Sequence, residues 1–399
     1  MICSRLWSPA AVLAAFVSTA TLGAQTTPTS SGTPAAQPAP APAAPIFSGL
    51  LFGSYNYSLP TSTSPLSGQV NNAFILDRAY LTFRMPAGDR VSIRLTTDVY
   101  QTTEGTPNAY TIRAKYAYFQ YDAPKSARGG QLLGRLGILQ NVTIDHIETF
   151  WPRYLSQSAI ERAGYFSSAD VGLAGQFTMP NRMGEVYATI VNGPGYQFRE
   201  RDRFKDYAIR VSLTPLANNT DLPLLQTFTV TAWGYKGATS SSFVNTGLVG
   251  ASLDRSRAGI FVGIKDPRLV IGGEFAQRHE EADGGANVAA RTTSATTGRL
   301  LSALTVVRPF AFSSATGKSP VGIVARYDRI TPTAETSGIT PVPSTSNAYH
   351  TFIGGLFYDL SPKAQLALDY QESLNSASGT TSAALTQSKV YYAHFKIDF

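Results

Sequence analysis

Between Gln140 and Ala169 a histidine stands between two carboxylates (Asp145, His146, Glu148), followed by a Trp151-Pro152 break and a polar run with Ser156, Gln157, Ser158, Glu161 and Arg162. Two kinds of chemistry are open to such a stretch. The histidine and its acids could move protons, or Asp145, Glu148, Arg153, Glu161 and Arg162 could set the charge of a narrow passage. Proton transfer in a hydrolase needs a serine nucleophile or an activated water beside the imidazole, and the chain has only His146, His279, His350 and His394. His146 is next to Asp145 in sequence, and immediate neighbours rarely face each other as a catalytic pair. His394 has no serine beside it in its own segment. No metal-ligand spacing, phosphate loop or G-x-S-x-G turn occurs, so neither an enzyme nor a metal nor a cofactor is expected.

A second set of charges is dispersed. Arg84, Arg94, Arg113, Lys115, Arg135, Arg210, Arg257 and Arg326 share by alternation one face of their segments with Asp98, Glu274, Asp328 and Asp369. A row of fixed cations in a pore lowers the barrier to anions, and guanidinium groups hold phosphate or carboxylate at two points. The same cations could instead be solvated or pair with those acids and stiffen a wall. The net charge is +7, yet no cluster of five or six Lys/Arg occurs, which excludes nucleic acid as a partner.

The elements that must position these side chains are strands. Charged residues are only 15%, while Gly 34, Tyr 20 and Phe 21 are high, a balance suited to a wall between lipid and water. In Val91–Tyr100, Val91, Ile93, Leu95 and Val99 alternate with Ser92, Arg94, Thr96 and Asp98, and the final segment sets Tyr391, Ala393, Phe395, Ile397 and Phe399 against Tyr392, His394, Lys396 and Asp398. Such segments are expected at 46–58, 73–85, 89–101, 109–122, 129–139, 170–179, 183–193 and 205–214. They continue at 225–237, 254–265, 268–280, 298–310, 319–330, 347–359, 363–373 and 387–399, and the stretch near Gly298 could equally be a short buried helix. Their connections alternate between tight turns, as at Pro86–Asp89, Pro180–Arg182, Asp266–Pro267 and Ser361–Pro362, and longer loops. Short turns at one rim and long loops at the other are what a transmembrane barrel requires.

Lipid offers no hydrogen-bond partners, so strands cross it only as a closed sheet. The fold class expected is therefore all-β, a transmembrane antiparallel β-barrel of about sixteen strands over residues 46–399. A propeller would place four strands in the length that a pair occupies here, and tandem sandwiches predict shorter strands with polar outer faces. Counted along the long-loop rim, residues 140–169 form the third connection and are expected to fold inwards, anchored by Ile147, Phe150, Trp151 and Leu155. Residues 1–24 read as a secretory signal peptide and 25–45 as a Pro/Ala-rich periplasmic linker. The single cysteine, Cys3, precedes the apolar run and leaves no disulfide.

The sequence resembles Gram-negative outer-membrane porins, and among them the phosphate-selective porin O/P type. Three stretches carry the resemblance: the terminal Phe399 behind alternating Ile397, Phe395 and Ala393; GRLGIL (Gly134–Leu139) leading into a loop that closes on Glu161-Arg162; and the hairpin FILDRAYLTFRMPAGDRVSIRL (Phe74–Leu95). Where that family has Phe-Lys after the glycine, this chain has Ile138-Leu139-Gln140. The resemblance implies passive diffusion of small hydrophilic solutes, anions preferred and phosphate-like anions among them, in the outer membrane and with barrels associated as homotrimers. Outer-membrane lipid and small anions or other hydrophilic solutes are the expected partners. Two rival readings share the fold: a structural or adhesive barrel with a plugged lumen, and a barrel hydrolase.

Overall fold

Sixteen antiparallel strands pair in chain order and close on themselves in the computed structural model, which describes residues 44–60, 72–101, 109–200, 202–240, 252–284, 292–336, 349–376 and 385–399. The first eight are β1 (Ile46–Ser58), β2 (Asn72–Pro86), β3 (Val91–Gln101), β4 (Tyr110–Asp122), β5 (Gln131–Gln140), β6 (Ala169–Thr178), β7 (Gly184–Val191) and β8 (Asp206–Leu213). The remainder are β9 (Thr229–Ser240), β10 (Ser252–Lys265), β11 (Leu269–Gly284), β12 (Thr292–Val307), β13 (Val321–Thr336), β14 (Tyr349–Ser361), β15 (Ala364–Ser376) and β16 (Leu385–Asp398). The segment that could have been a helix near Gly298 is a strand, β12, and a single helical turn follows it at Pro309–Ala311. β9 starts later than expected because Pro223–Leu225 forms another such turn. The signal peptide and all but the last two residues of the linker lie outside the described residues.

Closure is made by β1 and β16, where Gly49 N–H donates to the Phe399 carbonyl at 2.9 Å and Phe399 N–H returns a bond to Gly49 at 3.0 Å. Alternation then gives the wall two chemistries. On β3, Ile93 and Leu95 are exposed outwards while Thr96 and Asp98 are buried towards the lumen; on β8, Tyr207, Ile209 and Leu213 face out and Ala208, Arg210 and Ser212 face in. An outward apolar band with paired backbone throughout suits hydrocarbon, where an Arg at the midplane would cost about 2–4 kcal/mol. Among the described residues no helix is long and apolar enough to cross a membrane.

Register shifts occur at three places among the described strands, one at the β14–β15 turn between Asp359 and Ser361 and two within the wall. On β4, Thr96 pairs with Tyr116 and Thr97 with Ala114, so Lys115 has no partner across the ladder. The extra residue turns Tyr116 and Tyr118 inwards beside Lys115 and leaves Phe119 and Tyr121 facing out. On β2, Phe52 pairs with Arg78 and Ser54 with Ile75, which leaves Leu76 and Asp77 opposite Gly53. Tyr118 sits opposite Gly137 of β5, whose φ is +134° and where a Cβ would lie 2.2 Å from the Ala117 carbonyl oxygen. Only glycine lets the two strands approach there.

Candidate functional site

The connection from β5 to β6 turns into the lumen. Asn141 Oδ1 accepts the Thr143 N–H at 2.9 Å and the Thr143 hydroxyl at 2.8 Å, starting the short helix α1 (Ile144–Ile147); a second turn, α2 (Ala159–Arg162), follows. The apolar side chains between pack on the far wall: Ile147, Phe150, Trp151, Leu155 and Ile160 form one buried cluster with Phe261, Leu304, Val324, Ile353 and Phe357. Each such burial contributes on the order of 1.5–3 kcal/mol, so the loop is held by apolar area first. Polar contacts from the wall fix its path. Arg326 donates to the Gln157 carbonyl at 2.6 Å and stacks on Trp151, Arg278 donates to Ala163 at 3.2 Å, Gln371 donates to Leu155 at 3.0 Å, and Arg257 donates to the Tyr165 carbonyl.

His146 is part of this anchor. Its Nε2 is 2.9 Å from the Thr231 hydroxyl, and its ring meets Phe150 and Phe261 edge-on. Burial, with Arg210 and Lys265 nearby, pushes its pKa down to about 3, so the imidazole is neutral. Asp145 accepts the Tyr116 hydroxyl at 3.0 Å instead of facing His146, and burial raises its carboxyl above the ordinary range against the pull of Lys115.

The loop's own charges satisfy one another. Arg153 donates to both Glu161 oxygens, at 2.5 and 3.0 Å, and also to Glu148. Burial pushes Glu148 up to about 7, with Arg153 pulling it back and Asp145 adding to the rise. Asp145, Glu148, Arg153, Glu161 and Arg162, expected together to line the narrowest passage, therefore divide by what they touch. Glu148, Arg153 and Glu161 form an internal strut because their side chains reach each other across the loop. Of these five, Arg153 and Arg162 border a cavity of about 590 Å³ beside the loop, against β1, β2, β15 and β16.

The eight cations expected on the lumen side fall into three groups. Arg113, Arg210, Arg257 and Arg326 each pair with a carboxylate: Asp98 at 2.9 Å, Glu185, Glu280, and Asp328 at 2.6 Å. Arg257 and Arg326 also hold the loop from behind, and Arg326, only 2% exposed, does not face an open path. Arg94, Lys115 and Arg135 have no carboxylate partner among the described residues and lie against tyrosines instead. Lys115 is 4.3 Å from the Tyr80 ring and 5.4 Å from Tyr116, Arg94 is 4.7 Å from Tyr116 and 6.0 Å from Tyr118, and Arg135 is 5.3 Å from Tyr118 and 5.8 Å from Tyr187. Rings and cations thus alternate without a break from Tyr80 to Tyr187. Arg84 stands apart, exposed and paired in register with Arg94. Of the acids, Glu274 is buried behind the loop with neither oxygen hydrogen-bonded.

Sequence reasoning missed the ring half of this ladder, since strict alternation sends Tyr116 and Tyr118 into lipid. A signal for the bulge does exist: the apolar positions of this segment are even at Ile112 and Ala114 and odd at Ala117, Phe119 and Tyr121. Arg78 and Asp77 were passed over for the same reason, as they sit at the β2 bulge.

No protein-family model matches this sequence, and no curated protein matches it. Solved structures do. OmpT, an outer membrane protein of Vibrio cholerae in its trimer form, aligns with a TM-score of 0.57 and 11% identity over 89% of this chain and 99% of its own. An anion-selective porin from Comamonas acidovorans aligns at 0.56 with 10% identity over 89% and 99%. The outer membrane channel DcaP of Acinetobacter baumannii aligns at 0.54 with 10% identity over 89% and 97%. The fold is that of Gram-negative outer-membrane barrels of the porin type.

Proposed function

We propose that this chain is an outer-membrane porin through which small hydrophilic solutes diffuse passively, with anions preferred. The observation that carries the reading is the ladder of Arg94, Lys115 and Arg135. A guanidinium in direct contact with a carboxylate is largely neutralised by it, whereas Arg94 and Arg135 touch tyrosine rings, and the carboxylate that acts on Arg94 and Lys115 without an ion-pair contact is the buried Asp145. The half-buried Arg94 and Arg135 on β3 and β5, with Lys115 buried between them on β4, attract anions and repel cations, in a lumen where screening is weaker than in bulk water. The inward loop narrows the lumen and brings solutes close to the wall. Small inorganic anions, phosphate among them, are the solute class that this arrangement suits.

The similarity of fold to an anion-selective porin and to an outer membrane channel agrees with this reading, and the trimer form of the Vibrio protein agrees with association as homotrimers. The reading is tested by conductance of the purified protein in planar lipid bilayers. Stepwise ion-conducting insertions are expected; their absence under conditions that give folded protein contradicts a channel and favours the plugged barrel.

A further inference from the structure

Charges on the outward faces of the strands are few, and among the described residues most are already answered. Lys236 of β9 meets Asp254 of β10 at 2.6 Å, Lys389 of β16 lies 3.9 Å from Glu372 of β15, and Glu281 of β11 accepts the Asp254 N–H at 2.8 Å. Arg299 of β12 and Arg329 of β13 are the exceptions: both are exposed, and neither has a carboxylate partner among the described residues. Their neighbours fix their direction. Leu300 and Ile330 are buried in the cluster that packs the loop, so Arg299 and Arg329, one residue away on the same strands, point out of the barrel.

Register brings the two together. Arg299 pairs with Thr331 and Leu301 with Arg329, which makes the arginines diagonal neighbours on one face, roughly 7–8 Å apart. Arg329 is also directly opposite His350 of β14, whose Nδ1 is 2.6 Å from the Tyr327 hydroxyl. Like charges so placed repel each other unless an anion lies between them. The nearby strands supply none: Glu281 is four residues along β11 from Gln277, the partner of Arg299, roughly 13 Å away, and Glu372 is taken by Tyr370, Gln387 and Lys389.

Their height on the wall indicates which anion can reach them. Two residues nearer the short-turn rim, Leu301, Tyr327 and Phe352 are exposed on the same faces, and on the next two strands Tyr370 and Tyr391 pack with ring centroids 5.1 Å apart. Such an aromatic girdle marks the edge of the hydrocarbon. One side-chain step beyond it, roughly 7 Å further along the strands towards the long external loops, is the level of lipid headgroups.

We propose that Arg299, Arg329 and His350 form a binding site on the outside of the barrel for the phosphate group of an outer-leaflet lipid. Each guanidinium can take phosphate oxygens at two points, and an anion between Arg299 and Arg329 relieves their repulsion. The site is separate from the lumen cations and holds whether or not the barrel conducts.

The test titrates the delipidated full barrel in detergent with diphosphoryl lipid A and with its fully dephosphorylated form, reading bound lipid by native mass spectrometry. The phosphorylated lipid is expected to half-saturate at a concentration roughly ten-fold lower, the worth of one charge-assisted contact. Arg299→Gln with Arg329→Gln should abolish that difference in barrels shown to be folded by heat-modifiable mobility. Lys236→Gln, which removes an outer-face cation already paired with Asp254, should preserve it. Equal half-saturation by the two lipids overturns the proposal without recourse to variants. So does a preference that survives loss of both arginines, or one that falls equally in Lys236→Gln and so reflects general attraction to a basic surface. Loss of trimers by the double variant in lipid-free detergent, with the lipid preference intact, also overturns it and makes this face a contact between barrels.

Discussion

A charge does different work according to what holds it, and Arg94 and Arg326 are the two extremes. Arg326 is sealed against Asp328, Trp151 and the Gln157 carbonyl, so its charge is consumed in fastening the loop. Arg94 has rings on two sides and a threonine hydroxyl at 3.1 Å, so its charge stays available to the lumen. Alternation alone could select both residues, because it reports which face a side chain takes and nothing about its partner. Pairing is decided by neighbours across strands and by a loop distant in sequence. Glu148 permits a pH prediction at the same scale. Its pKa is raised from 4.5 to about 7, so the docked loop binds a proton that the released loop does not hold between those values. Docking is therefore favoured most below pH 4.5 and loses this contribution as pH rises towards 7. Current noise from loop movement should increase over that interval and become flat in Glu148→Gln; noise that falls with rising pH would contradict the assignment.

At the scale of elements, the loop and the β4 bulge are the features that convert a plain barrel into this one. The inward loop was legible from its length and its place as the third long-rim connection, and its anchors Ile147, Phe150, Trp151 and Leu155 from their apolar character in a polar setting. The strut of Arg153 with Glu148 and Glu161 was not legible, since it depends on how the two short helices fold back. Trp151→Ala should remove a fully buried side chain and cost the docked loop about 3–5 kcal/mol, leaving the sheet intact. The expected result is a larger and noisier conductance with unchanged strand content by circular dichroism. Gly137→Val places a side chain into the backbone of β4, where even a Cβ meets the Ala117 oxygen at 2.2 Å. That variant should assemble poorly, as followed by the fraction of heat-modifiable folded barrel in gels; normal assembly would show that the β4–β5 approach can relax.

The whole molecule is an apolar exterior wrapped around a polar, partly filled interior, and this was the most legible level. All sixteen expected segments are strands because period-two patterning fixes which face each residue takes, and closure is the sole arrangement that pairs every strand in lipid. The end positions were less legible, as at β9 and β12, since turns at the rims follow local backbone chemistry. The two faces should respond oppositely to charge. Leu173→Lys on the outer face should destabilise the barrel by up to about 2–4 kcal/mol in denaturant titrations in bilayers, whereas Gln176→Lys, facing in, should cost far less. The central claim, that tyrosine-backed cations and not carboxylate-paired ones give the channel its preference, is tested most directly by the zero-current potential in a salt gradient for two sets of variants. Arg94→Gln with Arg135→Gln should move the potential towards cation preference, while Arg257→Gln and Arg326→Gln should leave its sign and most of its size unchanged. An equal shift from both sets, or an anion preference that survives loss of Arg94 and Arg135, would contradict the account.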